Sequence, residues 1–262
     1  MRGKLNKNAK ERLILALDIG EDIDRTLEWV ELLKDHVGMF KVGKEAFGHY
    51  GPDIVSVIKK MGGKVFLDLK FHDIPNTVIG AAREAVKLGV SMFNLHALGG
   101  KRMMEDTVES VEKTARQTGA PMPVVLAVTV LTSLDNDDLQ MLGFSGAIED
   151  IVLNLTRIAR DAGVSGVVAS ARDVASIRKL CGDDFIIVTP GIRPVGCHEE
   201  RTDMTGIKVA GDDQKRTLTP REAIRRGSDF IVVGRPIITA ADPVEMADNI
   251  SREISEGLEL RS

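Results

Sequence analysis

The sequence predicts an α/β fold: a single (β/α)8 TIM barrel with its active site at the C-terminal ends of the strands. Short, near-continuous apolar runs alternate with amphipathic stretches from start to finish, the pattern of a parallel sheet covered on its faces. Eight such units fit within 262 residues, a length typical of one closed barrel. An open dinucleotide-binding sheet would need a glycine-rich turn after the first strand. Here that turn is Asp18-Ile19-Gly20-Glu21-Asp22, without G-x-G-x-x-G and with acidic groups where a pyrophosphate would sit.

In chain order, apolar runs of strand length fall at 13–18, 39–42, 65–69, 92–95, 124–128, 166–169, 185–189 and 230–233. Helical spacing fills 22–35, 52–61, 75–88, 101–118, 148–162, 171–180 and 219–226, and a last helix is expected at 243–254. Pro75 suits a first helical position. Gly62, Gly89, Gly119, Gly163 and Gly227 follow helices as residues able to adopt a left-handed C-cap. No composition break divides the chain, so 1–262 reads as one domain with 1–10 as a short lead-in.

Composition narrows the function classes. Hydrophobic residues make up 43% and charged residues 28%, as in an ordinary soluble enzyme. A net charge of −4, with one Trp, one Tyr and eight Phe, offers nucleic acid neither attraction nor stacking platforms. No segment has the apolar length of a membrane span, and the basic first ten residues lack the apolar run of a secretory signal. Cys181 and Cys197 lie sixteen positions apart, which indicates neither a disulfide framework nor a zinc site. A reducing cytoplasm is the expected location.

The densest chemistry lies in Asp68-Leu69-Lys70-Phe71-His72-Asp73-Ile74-Pro75-Asn76-Thr77. Side chains on a strand alternate faces, so Asp68 and Lys70 share one face and Leu67 and Leu69 the other. Charge on a strand that otherwise reads as buried is costly unless paired. A structural Asp–Lys pair at a strand end accounts for two of these residues; three charges in six residues point to a site. The other strand ends add Asp18, Lys41, His96, Thr132 with Ser133, Ser170, Arg193 and Arg235. Each has a plainer reading. Asp18 would cap the next helix, Lys41 would pair with Asp18 for stability, and His96 would be a hydrogen-bonded strand-end histidine. The gathering of so many charges at one rim is what these readings leave unexplained.

The last two strand ends look like a phosphate grip. Thr189-Pro190-Gly191-Ile192-Arg193-Pro194 follows the seventh strand and Gly234-Arg235-Pro236 the eighth, the usual phosphate-binding loops of such barrels. Glycine lets an anion approach backbone N–H groups, and Arg supplies a planar fork of donors. Between them, 195–216 is rich in Gly and charge and has no clear period. Loops of this length are functional or disordered. This one is expected to be a lid over the phosphate, with Gly191, Gly196, Gly206 and Gly211 as hinges. Cys197-His198 alone is too few ligands for a metal.

With these motifs assembled, the chain resembles the orotidine 5′-phosphate decarboxylase family over nearly its whole length. The resemblance rests on Asp68-x-Lys70-x-x-Asp73-Ile-Pro-Asn-Thr77, Leu17-Asp18, Phe40-Lys41-Val42-Gly43, Thr129-Val-Leu-Thr132-Ser133, Thr189-Pro-Gly-Ile-Arg193-Pro, Gly211-Asp-Asp-Gln214-Lys-Arg216 and Gly234-Arg235-Pro236. It implies decarboxylation of orotidine 5′-phosphate to UMP, without cofactor or metal. Asp18 and Lys41 would hold the ribose, with Lys41 also pairing with Asp68. Asp68 would face the substrate carboxylate, and Lys70 would donate the proton. Asp73 and Thr77 would reach into the other subunit's site in a homodimer. Thr132 and Ser133 would meet the pyrimidine, while Arg193, Gln214, Gly234 and Arg235 would bind or cover the phosphate. The stretch 195–210 is longer than the link typical of many bacterial members.

The residues fit that chemistry. Loss of CO2 leaves a carbanion at C6 in the ring plane, beyond the reach of conjugation. An ammonium held between two carboxylates stays protonated, stabilises that charge and delivers the proton. Three rivals remain at this point. A magnesium-dependent phosphosugar lyase, of the keto-gulonate-phosphate decarboxylase or hexulose-phosphate synthase type, would use the aspartates around the metal. A Schiff-base enzyme would need a neutral Lys70, which flanking carboxylates oppose. A metabolite-binding barrel would leave the Asp–Lys–Asp pattern without a purpose.

Overall fold

The computed structural model describes residues 9–20, 22–195 and 218–261. Its strands are β1 (Leu13–Ala16), β2 (Met39–Gly43), β3 (Val65–Phe71), β4 (Met92–His96), β5 (Val124–Val128), β6 (Gly166–Val168), β7 (Ile186–Thr189) and β8 (Phe230–Val233). They close into one barrel in sequence order. The closure is a parallel ladder in which Leu13, Ile14 and Leu15 of β1 pair with Ile231, Val232 and Val233 of β8. The eight strands read from the sequence are these eight, with ends shifted by two residues or fewer.

The helices are α1 (Ile23–Leu33), α2 (Lys44–Tyr50), α3 (Asp53–Lys60), α4 (Pro75–Leu88), α5 (Lys101–Thr118), α6 (Asn136–Met141), α7 (Ile148–Asp161), α8 (Val174–Cys181), α9 (Pro220–Arg226), α10 (Arg235–Ile238) and α11 (Pro243–Arg261). The five glycines expected to stop helices all have positive φ. The sequence reading has no counterpart for α2, α6 and α10. These have seven, six and four residues, too short to display a period. Helix α11 also runs past 254 to Arg261. Gly257 lies inside it and lets the helix pack closely on α9, since a Cβ there would sit 2.6 Å from the Arg221 carbonyl oxygen.

Alternation along the strands divides the core into two layers. Leu13, Leu15, Phe40, Val42, Val65, Leu67, Phe93 and Leu95 belong to the large layer between barrel and helices. Ile14, Ala16, Met39, Phe66, Met92, Leu126, Val188 and Val232 fill the barrel interior. Two positions further along their strands, these interior rows reach Asp18, Lys41, Asp68 and Asn94. The polar rim is therefore the continuation of an apolar plug.

The opposite rim carries a buried charge cluster. Asp229, just before β8 and 2% exposed, accepts from Arg178 Nη2 at 2.8 Å and from the Ile187 N–H at 2.9 Å. Arg12 and Arg261 approach its other carboxylate oxygen at 3.9 and 3.6 Å. The cluster ties α8, α11 and the turn before β1 to the base of the barrel, the face associated with stability. Asp229→Ala removes the buried counter-charge of these guanidinium groups and leaves only the exposed Asp183 near Arg178 and Arg261. Urea unfolding is expected to show a loss of about 3–5 kcal/mol with turnover per folded molecule unchanged. A stability loss below ~1 kcal/mol would contradict this role.

Candidate active site

Four charges of alternating sign run across β1, β2 and β3. Lys41 Nζ lies 3.3 and 3.2 Å from the two Asp18 oxygens and 3.4 Å from Asp68 Oδ2. The other oxygen, Asp68 Oδ1, accepts from Lys70 Nζ at 2.7 Å. Side-chain exposure is 46% for Asp18, 11% for Lys41, 13% for Asp68 and 29% for Lys70. Gly43 makes room for the first pair, because a Cβ there would lie 2.9 Å from both Asp18 Oδ1 and Lys41 Nζ. The capping role considered for Asp18 goes instead to Asp22, which accepts from the Asp24 and Arg25 N–H groups at the start of α1.

The ammonium set between two carboxylates within this chain is Lys41; the ion pair described for Lys70 is with Asp68. Asp73 is exposed, and its carboxylate accepts from its own neighbour, the Ile74 N–H, at 2.6 Å. Thr77 is likewise exposed, on the first turn of α4. Neither lines the cavity. The cause is local: Asp73 and Thr77 lie beyond the end of β3, where the chain leaves the rim.

Strand β3 is irregular where its charged residues lie. Its pairing with β4 shifts register between Leu67 and Phe71, and Lys70 has φ +53°, the one positive value among described non-glycine residues. Asp68 and Lys70 still face the cavity, and Leu67 and Leu69 the outer core. The Lys70 N–H donates to Asn94 Oδ1 at 2.8 Å, and Asn94 Nδ2 donates to Asp68 Oδ1 at 2.6 Å. Asn94 is fully buried. Sequence reasoning passed over it in favour of His96, although an Asn two places after inward Met92 on an apolar strand was a legible signal.

The cavity at this rim has a volume of about 550 Å³. Asp18, Lys41, Asp68, Lys70, Thr132, Arg193, Gly234 and Arg235 all line it, with Val128, Val130, Leu131, Val168, Ala169 and Ile238 forming apolar walls. Ser133 is exposed and outside the lining. Gly191, expected as a hinge, lines the cavity with φ +73°, and Gly234 opens the short helix α10. Gln214 and 196–216 of the expected lid, with Gly196, Cys197, His198, Gly206 and Gly211, lie outside the described residues.

Residues 11–250 match the model of the Orotidine 5′-phosphate decarboxylase / HUMPS family. The chain belongs to that family. It is 58% identical over 256 residues to the Orotidine 5′-phosphate decarboxylase of Syntrophus aciditrophicus (strain SB), covering 98% of both chains. With the protein of that name from Geobacter sulfurreducens it shares 49% identity over 249 residues, covering 95% of this chain and 98% of the other. Among solved structures, Orotidine 5′-phosphate decarboxylase from Lactobacillus acidophilus is similar with a TM-score of 0.77 and 35% identity, covering 92% of this chain and 98% of that one. Membership accounts for the barrel.

His96, at the end of β4, matches the plainer reading. Its Nδ1 accepts from the Leu98 N–H at 3.4 Å, and its ring stacks on His72 with centroids 5.1 Å apart. Burial pushes its pKa down to about 4, and the nearby His72, Lys70 and Lys44 add to the effect. The folded value lies below the ordinary 6.5, so the unfolded chain takes up this proton first as pH falls. The stability held by neutral His96 is full above pH ~6.5 and is lost as pH drops through about 4. An NMR titration of its ring should give a midpoint below pH ~5; an ordinary midpoint near ~6.5 would contradict the burial argument.

Proposed function

We infer that the chain carries out the reaction for which its relatives are named: orotidine 5′-phosphate is decarboxylated to UMP and CO2, a step of pyrimidine nucleotide synthesis. The observation that carries this reading is the Lys70–Asp68 pair at 2.7 Å, opening on a cavity that Arg193 and Arg235 also line, in a chain of this family. Lys70 is the proton donor. As the C6–carboxylate bond breaks, its electron pair stays on C6 in the ring plane. The ammonium stabilises that charge and transfers a proton to C6, leaving a neutral amine to be reprotonated from water. Asp68 faces the departing carboxylate and holds Lys70.

The remaining roles follow the chemistry of each group. Asp18 and Lys41 hold the ribose hydroxyls. Thr132 and Ser133 meet the pyrimidine edge, with the apolar walls against the ring. Arg193, Gly234, Arg235 and Gln214 take the phosphate, whose binding energy is remote from the reacting carbon. No cofactor or metal takes part. The protein works as a cytoplasmic homodimer in which Asp73 and Thr77 complete the second copy's site. The exposure of both residues and their absence from the lining of their own cavity support that assignment. No observation favours the magnesium-dependent lyase.

Metal-stripped protein should convert orotidine 5′-phosphate in an ultraviolet assay, and Lys70→Ala should abolish turnover while leaving the fold intact. Dependence on added Mg²⁺ would favour the lyase. Retention of ~10% of kcat in the variant, a loss of only about 1.4 kcal/mol, would remove Lys70 from the donor role.

Mixing Lys70→Ala and Asp73→Ala chains tests the shared site. Each homodimer lacks one group at every site. Random exchange makes half the dimers mixed, and in each of these one site has both groups intact, so roughly a quarter of wild-type activity should return. No recovery after verified subunit exchange would reject the sharing.

A further inference from the structure

We propose that Asn94 is a positioning residue for Lys70, fixing both the backbone and the counter-ion of the ammonium; this rests on the reading of Lys70 as proton donor. The carboxamide stands between two groups of fixed polarity. The Lys70 N–H can only donate and the Asp68 carboxylate can only accept, so the 2.8 Å and 2.6 Å contacts admit a single orientation of the amide, oxygen toward Lys70 and nitrogen toward Asp68.

The position is specific. Between Leu67 and Phe71 the ladder with β4 is broken, and there the Lys70 N–H is received by the Asn94 side chain and not by a backbone carbonyl. The same residue is rigidly held, since Asn94 pairs in register with Leu126 of β5 and is fully buried. Lys70 at φ +53° is a conformation that L side chains disfavour. It turns the side chain back so that Nζ meets the very oxygen, Asp68 Oδ1, that Asn94 Nδ2 also contacts. The three bonds close a ring: backbone of Lys70 to Asn94, Asn94 to Asp68, Asp68 to the Lys70 ammonium. Removing the carboxamide opens the ring at two of its three links and frees both the strained residue and its carboxylate.

The consequence is for the chemical step rather than for binding, because the phosphate and ribose contacts assigned above lie on other strands. The test measures kcat at saturating orotidine 5′-phosphate, together with the affinity and stoichiometry of UMP by calorimetry, for wild type, Asn94→Ala and Asn94→Leu. The leucine refills the side-chain volume without restoring either hydrogen bond, so the question stays measurable if the alanine variant folds poorly. A displacement of the ammonium by about 1 Å is worth on the order of 100-fold in rate. That fall in kcat is expected in both variants, with UMP still bound one per chain and its Kd within ~3-fold of wild type. A kcat within ~3-fold of wild type in a folded variant would overturn the proposal. So would parallel loss of kcat and UMP binding, the mark of a purely structural role. Absence of turnover by the wild-type chain would instead overturn the functional reading, and this inference with it.

Discussion

Everything at the candidate site depends on barrel closure. A parallel strand needs a hydrogen-bonded neighbour on both sides, and the β1–β8 ladder removes the last two edges. Once the sheet is closed, all eight strands point the same way, and groups far apart in sequence reach one rim. Asp18 and Arg235 line the same cavity for that reason. The pleat then selects which residues face inward. Ile14 and Ala16 plug the interior and Asp18 follows; Met39 is followed by Lys41, and Phe66 by Asp68. The plug excludes water from below, so the charges above it sit on an apolar floor.

That floor makes the order of the charges matter. Lys41 and Asp68 are the two least exposed members of the row, and burying either alone would cost several kcal/mol. Alternation of sign resolves this without neutralising any group, because each interior charge lies between two of opposite sign. The outer Asp18–Lys41 contact, with Asp18 half exposed, adds little on its own. Its effect is to hold Lys41 where it can meet Asp68 Oδ2, which leaves Oδ1 for Lys70 and Asn94. Asp68 is thereby fixed at both oxygens, as its proposed place opposite a substrate carboxylate requires.

The parts legible in the sequence are those that break a simple pattern. Apolar runs at regular spacing announce the strands, and Asp68 and Lys70 are conspicuous because ions on a buried strand need partners. Helices α2, α6 and α10 escape because a period needs more residues than they have. Lys70's backbone escapes for another reason: left-handed conformations are foreseen at Gly or Asn, and nothing in the identity of a lysine announces one. Asn94 is easily passed over because a neutral amide violates no charge rule, and its one legible sign is its place two residues after inward Met92 on an apolar strand. The three charges in six residues mark a site but do not say which of them face one cavity: the chain leaves the rim after Phe71 and takes Asp73 with it.

The strain at Lys70 and the freedom of a lysine side chain bear on one another. A non-glycine residue in the left-handed region costs about 1–2 kcal/mol, and holding a lysine side chain in one rotamer costs up to about 2 kcal/mol of conformational entropy. Both are settled when the chain folds, by the Asn94 bond to the Lys70 N–H and the Asp68 bond to its ammonium. Neither has to be met again when charge develops at the reacting carbon. A lysine on regular strand backbone would present the same ammonium on a flexible stem and would have to be ordered during the reaction. With Lys70 as the proposed proton donor, the irregular backbone belongs to the chemistry: it moves the ordering of that donor from the transition state to the folded ground state, which is where preorganised electrostatic stabilisation has its effect.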